Sequence, residues 1–208
     1  MSITRGSFKN SVRNVQNLVN RVNTVFNDTI LNRIYSNVGT GKSIGLEAGL
    51  ELNPTDWWQV FAGANVYNYA ISGEFDDKPI NTQSWIYSIN ANTSFSFGKN
   101  WEAQLAVNYI SPTNTAQGED SSFLSPNLNI KKSFLDGRLS TTLQWLNIDM
   151  GLLPTNEQRI TTWRDGEFYT TTNYVYEVDI IQFNISYTFN KLKNNSKFIK
   201  SEFGEKEF

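Results

Sequence analysis

Between residues 43 and 53 the side chains alternate without a break. Ile44, Leu46, Ala48, Leu50 and Leu52 are apolar, whereas Ser43, Gly45, Glu47, Gly49, Glu51 and Asn53 are polar or small. A β-strand sends successive side chains to opposite faces, so this stretch is a strand with one apolar and one polar face, and a helical period of 3.6 cannot produce it. The pattern returns over 82–97, where Trp85, Tyr87, Ile89, Ala91, Thr93, Phe95 and Phe97 alternate with Ser84, Ser88, Asn90, Asn92, Ser94 and Ser96, with Ile86 the exception. It returns again in Trp101, Ala103, Leu105, Val107 and Tyr109, in Leu139, Thr141, Leu143 and Trp145, and in Ile181, Phe183, Ile185, Tyr187 and Phe189. Residues 57–74 alternate too, with Phe61 and Tyr67 on the otherwise polar side.

Turn chemistry separates these runs. Asn53-Pro54-Thr55-Asp56, Gly98-Lys99-Asn100 and Leu135-Asp136-Gly137 are tight turns, and Arg164-Asp165-Gly166-Glu167 closes a hairpin. Residues 75–81 and 111–122 are longer polar loops. The expected fold is therefore all-β and antiparallel. About eight strands are expected, near 29–38, 43–53, 57–74, 82–97, 101–111, 122–134, 138–163 (broken near 150–157) and 168–190. Residues 1–27 are expected to be an irregular N-terminal segment, a loop or frayed helix. There Val12, Val15, Leu18, Val19 and Val22 have helix-like spacing, but asparagines favour turns over helix interiors. Residues 191–208 are expected to be a flexible tail, lysine-rich and then acidic.

Composition narrows the chemistry. The chain has neither histidine nor cysteine, which excludes Cys/His zinc sites, histidine-dependent triads, thiol nucleophiles and disulfides. Lys plus Arg is 18 and Asp plus Glu is 20, a near balance that gives no reason to expect nucleic acid as a partner. Aromatics are 14% and charged residues only 18%, and 26 residues are asparagine, which suits strands with one apolar and one small-polar face. No apolar run is long enough for a transmembrane helix, and the first 30 residues hold no secretory apolar core.

A soluble β-sandwich and an outer-membrane barrel both alternate. Three features favour the barrel. Tight connections alternate with longer ones, as short periplasmic turns alternate with outer loops. Aromatics gather beside the tight turns: Trp57, Trp58, Phe95, Phe97, Trp101, Phe134, Tyr187 and Phe189. Trp85 lies twelve residues before Phe97, about 40 Å of strand. A tilt of about 40–45° reduces this to roughly 30 Å along the bilayer normal, so Trp85 and Phe97 would mark the two membrane interfaces.

Phe-Asn-Ile-Ser-Tyr-Thr-Phe at 183–189 resembles the C-terminal insertion signal of outer-membrane barrels, carried by Phe183, Ile185, Tyr187 and Phe189. Asn-Val-Gly-Thr-Gly-Lys-Ser-Ile-Gly-Leu-Glu at 37–47, followed by Pro54 and Trp57-Trp58, is similar to TonB-dependent receptors, in which a glycine–glutamate strand descends to a periplasmic turn. Segments 32–35, 123–128, 132–138, 156–162 and 201–208 fit one branch of the same family. The resemblance implies a place in the outer membrane and a barrel of 22 strands, of which this chain holds the C-terminal third. It also implies non-catalytic nutrient uptake. The implied partners are the lipid bilayer, the barrel-assembly machinery that reads the insertion signal, and the plug and other strands of the receptor. No plug, TonB box or signal peptide is read in this chain. No cofactor is expected.

Two alternatives stay open at this stage: a stand-alone structural or adhesive outer-membrane barrel, and a soluble β-sandwich that binds carbohydrate. The acidic pairs Asp76-Asp77, Glu119-Asp120 and Glu177 with Asp179 read as solvated loop charge rather than a cation site. Glu47, Glu51, Glu102, Gln104, Asn108 and Gln144 are candidates for lining a lumen. Phe123, Trp163 and Tyr169 are candidate carbohydrate contacts.

Overall fold

A computed structural model describes residues 2–27, 29–151 and 155–189. Fourteen strands are present among them: β1 (Ser2–Val15), β2 (Val19–Phe26), β3 (Ile30–Asn37), β4 (Thr40–Thr55), β5 (Trp58–Phe75), β6 (Lys78–Phe97), β7 (Trp101–Ile110), β8 (Thr113–Thr115), β9 (Gly118–Asp120), β10 (Phe123–Phe134), β11 (Leu139–Leu146), β12 (Glu157–Arg164), β13 (Phe168–Val175) and β14 (Ile180–Tyr187). Among the described residues the one helical turn is the 3₁₀ turn Leu135–Gly137. The main sheet has eight antiparallel strands in the order β1-β4-β5-β6-β7-β10-β11-β14. A four-stranded sheet, β13-β12-β9-β8, and the β2-β3 hairpin stand apart from it. The main sheet is open, with β1 at one edge and β14 at the other.

The register carries one stripe pattern through the whole sheet. Leu46 faces Val66, Val66 faces Tyr87, Ala91 faces Val107, Val107 faces Pro126, Leu128 faces Trp145 and Trp145 faces Ile181. Every apolar alternate read from the sequence therefore lies on one face, and every small polar alternate on the other. A one-residue slip at any pairing would destroy this, so the alternation itself fixes the register.

Three expectations are corrected. Residues 2–15 are not irregular: they form edge strand β1, paired with β4 from Ser2↔Asn53 to Val15↔Gly41, and β2 follows as half of a hairpin. Pairing overrides the local asparagines here, because strand preference depends on the neighbouring strand more than on the segment itself. Residues 75–81 are not a loop. β5 and β6 stay paired to Phe75↔Lys78, and the reversal takes only Asp76 and Asp77, both at positive φ (55° and 56°), as a two-residue hairpin turn requires. Residues 168–190 are two strands rather than one, whereas 138–163 breaks between Leu146 and Glu157, close to the expected place. β11 and β14 belong to the main sheet, while β12 and β13 fold back as a separate hairpin. The tail 191–208 lies outside the described residues.

The buried hydrophobic cluster is not in the main sheet's middle. Val22, Val38, Ile71, Ile80 and Ala116, with Leu18, Tyr69 and Phe75 against them, sit where β2, the far ends of β5 and β6, and the β8-β9 hairpin meet. The sheet's apolar face has nothing over it among the described residues: Ile44 is 61% exposed, Trp85 64% and Ile185 66%. A soluble sandwich would cover that face with a second sheet, so the sandwich alternative does not describe this molecule.

Candidate functional site

The sheet offers three functional surfaces: an apolar outer face, a polar inner face, and a cap of strand extensions at one end. Strand direction decides the ends. The turns at 53–57, 98–100 and 135–137, the start of β1 and the finish of β14 share one end. The β2-β3, β5-β6, β8-β9 and β12-β13 hairpins all rise at the other.

On the apolar face the aromatics form two bands. At the tight-turn end Trp57 lies 6.4 Å from Trp58 and 6.2 Å from Phe95, and Phe95 lies 6.1 Å from Phe97. Phe97 pairs with Trp101 across β6 and β7. Lys132 Nζ then sits 4.4 Å over the Trp101 ring and 5.0 Å from the Phe134 ring. Tyr187 and Phe189 close the row edge to face at 4.8 Å. The sequence-selected Trp57, Trp58, Phe97, Trp101, Phe134, Tyr187 and Phe189 are thus brought together along one end, although 132 positions separate the first from the last. Trp85 is at the opposite end of the same face, beside Tyr87, which stands 6.0 Å from Tyr109. Phe183 and Ile185 lie between the two bands on β14, exposed on the apolar face.

Sequence reasoning did not select Tyr87, Tyr109, Lys132 or Trp145 as members of these bands. Lys132 breaks the apolar alternation of β10 between Ile130 and Phe134, and a lysine beside a turn on an apolar face is the signal of a side chain reaching for an interface. Trp145 donates its indole N–H to Asp179 Oδ1 at 2.8 Å, which anchors the second band to the loop before β14.

The inner face is a polar lattice. Asn65 donates to Ser88 at 3.2 Å, Gln104 to Asn92 at 3.1 Å, Gln144 to Asn129 at 3.0 Å and Asn184 to Gln144 at 3.0 Å. Lys131 and Glu102 pair at 3.3 Å. The six lumen candidates, Glu47, Glu51, Glu102, Gln104, Asn108 and Gln144, share this face. Near the cap the face sinks into a hollow of about 530 Å³, lined in part by Arg13, Glu47, Asn65, Tyr67 and Tyr69.

Polar contacts hold the cap together. Asn23, fully buried, donates from Nδ2 to Thr162 Oγ1 at 2.6 Å, and its backbone N–H donates to Gln117 Oε1 at 2.6 Å. Arg21 reaches Asp120 at 3.1 Å, and Arg33 donates to Thr172 at 2.7 Å. Arg164, its side chain 8% exposed, bridges Asp76 at 2.7 Å and Glu167 at 3.1 Å, while Lys78 holds Glu167 from the other side. Burial alone would lower the pKa of Arg164, but the bonds to Asp76 and Glu167 outweigh it and raise the value. The bond from Lys78, then that from Arg164, holds the Glu167 carboxyl below its ordinary value. The acidic pairs of the sequence are split in use: Asp76, Asp120 and Asp179 accept from protein donors, while Glu119 faces outward. Phe123 is taken up by a 5.2 Å ring contact with Tyr176, so it is separated from Trp163 and Tyr169, which meet each other.

No curated protein and no solved structure is detectably similar to the chain. Residues 3–187 match the family model described as an outer membrane protein beta-barrel family, a span that takes in all eight strands of the main sheet and the cap; the chain belongs to that family, and its place is the outer membrane.

Proposed function

We propose that the chain forms part of the wall of a large receptor barrel, the C-terminal portion of a TonB-dependent receptor that takes up a nutrient and catalyses nothing. The observation that carries this reading is the size of the inward side chains. Small residues such as Ser11, Gly45, Gly49, Gly63, Ser88 and Ala106 recur on the inner face between its longer polar side chains and the aromatics Phe61, Tyr67 and Tyr69 of β5. An eight-stranded barrel has a bore just wide enough to be filled by its own side chains. Residues this small would leave such a bore empty, whereas they suit a wider one that holds water or an inserted plug. The open sheet agrees. β1 offers a 14-residue edge and β14 an 8-residue edge. Backbone groups on an edge exposed to hydrocarbon each cost several kcal/mol unless paired, so each edge needs a partner, which the remaining strands of a larger barrel would supply.

On this reading the tight-turn end is periplasmic and the cap faces outward. The two aromatic bands lie at the two interfaces, and the last strand is the insertion signal for the assembly machinery. Lipid, that machinery, the plug and the remaining strands are the partners, and the near-neutral chain has no use for nucleic acid. The test is made in cells, with an antibody to the β12-β13 hairpin. The expected result is a heat-modifiable outer-membrane band larger than this chain, and loss of energy-dependent uptake when the gene is deleted. A band of this chain's own size, with introduced cysteines joining β1 directly to β14, overturns the reading in favour of a stand-alone barrel. The absence of native cysteine keeps that cross-link unambiguous.

A further inference from the structure

One face of the outer four-stranded sheet is used up in holding the cap. Ile160 and Thr162 are buried there, and Thr162 bonds to Asn23. The opposite face is exposed toward the hairpin tip and buried at Thr161. On it Trp163 of β12 and Tyr169 of β13 are register partners, with rings inclined by 24° and centroids 6.5 Å apart. They are 39% and 74% exposed, and no contact within the cap explains them. Alternation places Thr161 on the same face, and pairing across β9 adds Glu119. The hairpin turn contributes Asp165, and these residues line an open cleft of about 590 Å³.

We propose that this cleft binds a neutral oligosaccharide. A Trp–Tyr pair offers broad, rigid apolar faces that lose little conformational entropy when covered, and they match the C–H face of a pyranose ring. Sugar hydroxyls also need acceptors beside that platform. The Glu119 and Asp165 carboxylates have no partner among the described residues, and Thr171 stands exposed on the same face with its hydroxyl 3.3 Å from that of the buried Thr161. Charge selects the kind of sugar. Arg164 lines the cleft but is committed to Asp76 and Glu167, so the uncommitted charge is negative and repels uronates and phosphorylated glycans.

The proposal goes beyond uptake and does not depend on it, because binding is measured on the isolated protein. The experiment is calorimetry in a zwitterionic detergent without sugar headgroups. The probes are cello-, malto- and xylo-oligosaccharides, with polygalacturonate and tetralysine as anionic and cationic counterparts. At least one neutral oligosaccharide should bind with a micromolar to millimolar Kd. Tyr169→Ala should weaken it about tenfold. Trp163→Phe, which keeps an aromatic face, should retain most of the affinity. Failure of all the neutral probes, tighter binding of polygalacturonate or tetralysine, or an unchanged Kd in Tyr169→Ala overturns the proposal while leaving the receptor reading standing. Unchanged uptake on gene deletion, with oligosaccharide binding intact, would do the reverse.

Discussion

Arg164 Nη1 lies 2.7 Å from Asp76 Oδ2, across 88 positions of sequence, and fastens the β12-β13 hairpin to the tip of the β5-β6 hairpin. Asp76 stays more than half exposed, so the contact is worth about 1 kcal/mol rather than the several of a buried pair. Arg164→Ala should therefore loosen the hairpin without unfolding the main sheet. Limited proteolysis of protein in detergent should cut near residues 165–166 faster in the variant, while heat-modifiable migration on gels stays normal. Loss of that migration would mean that the clasp supports the sheet as well.

The same clasp should respond to acid. Lys78, and after it Arg164, hold Glu167 below its ordinary value of 4.5. A depressed carboxyl pKa contributes stability that is complete above the ordinary value and is lost as pH falls through the lower, folded one. A spin-label pair across the β5-β6 and β12-β13 tips should keep one distance at neutral and mildly acidic pH, and should broaden only in strong acid. Glu167→Gln should show the broad distribution at every pH. Broadening of the parent protein already at neutral pH would contradict the assignment.

Leu105 and Gln104 are adjacent on β7 and face opposite ways. Leu105 pairs with Thr93 and Leu128 on the apolar face, midway between Trp101 and Tyr109, while Gln104 bonds to Asn92 on the inner face. Arginine at a lipid-facing midplane position costs about 2–4 kcal/mol. Leu105→Arg should lose that much in denaturant unfolding from lipid vesicles. Gln104→Arg should lose about 1 kcal/mol or less, the size of its bond to Asn92. Equal losses would undo the orientation.

Two glycines on the inner face should behave differently. A Cβ on Gly45 would run into the carbonyl oxygen of Val66 and the Cα and Cβ of Tyr67, none of which moves cheaply. A Cβ on Gly63 would meet the Phe61 ring at an ordinary 3.5 Å. Gly45→Ala should cost about 1–3 kcal/mol, as overpacking does, and Gly63→Ala should stay within about 0.5 kcal/mol of the parent. Denaturation midpoints measured in one detergent make the comparison.

The strands legible in the sequence were those that carry their own alternation. β4, β6 and β7 each repeat apolar and polar residues through most of their length, so their register and facing could be read directly. β1 is different. Its faces read Phe8, Asn10, Val12 and Lys9, Ser11, Arg13, and both contain polar residues. The spacing of Val12, Val15, Val19 and Val22 meanwhile imitates a helix. Its strand state comes from β4, which no local pattern reports. Of the cap only the β12-β13 hairpin, through its turn at 164–167, was legible, and the rest was hidden for a similar reason. β8 and β9 are three residues each and exist by pairing with each other and with β12, and Asn23 gains its role only where β2 meets Gln117 and Thr162. The aromatic bands were half legible. The turns revealed the members at one end, whereas Tyr109 and Trp145 are aligned at the other only by register.

Phe189 separates two accounts of the final strand. A core aromatic truncated to alanine loses about 3–5 kcal/mol through lost burial and a cavity. Phe189 is 84% exposed and touches Tyr187 edge to face at 4.8 Å, so it has little burial to lose within the chain. Its ring instead extends the aromatic row at the tight-turn end, where one side would meet lipid and the other wet headgroups. On the insertion-signal reading its value lies in assembly rather than in the finished fold. Phe189→Ala, made in the intact protein, should therefore lower the yield of protein in the outer membrane. The unfolding midpoint of the fraction that does fold should shift by only about 1 kcal/mol, the scale of one aromatic pair. Removal of residues 191–208 should lower the yield less, because that stretch has neither alternation nor an apolar face. Yield and midpoint are to be measured for both variants side by side. Normal yield with a large loss of stability in Phe189→Ala would make the residue a packing element and take the insertion role from it.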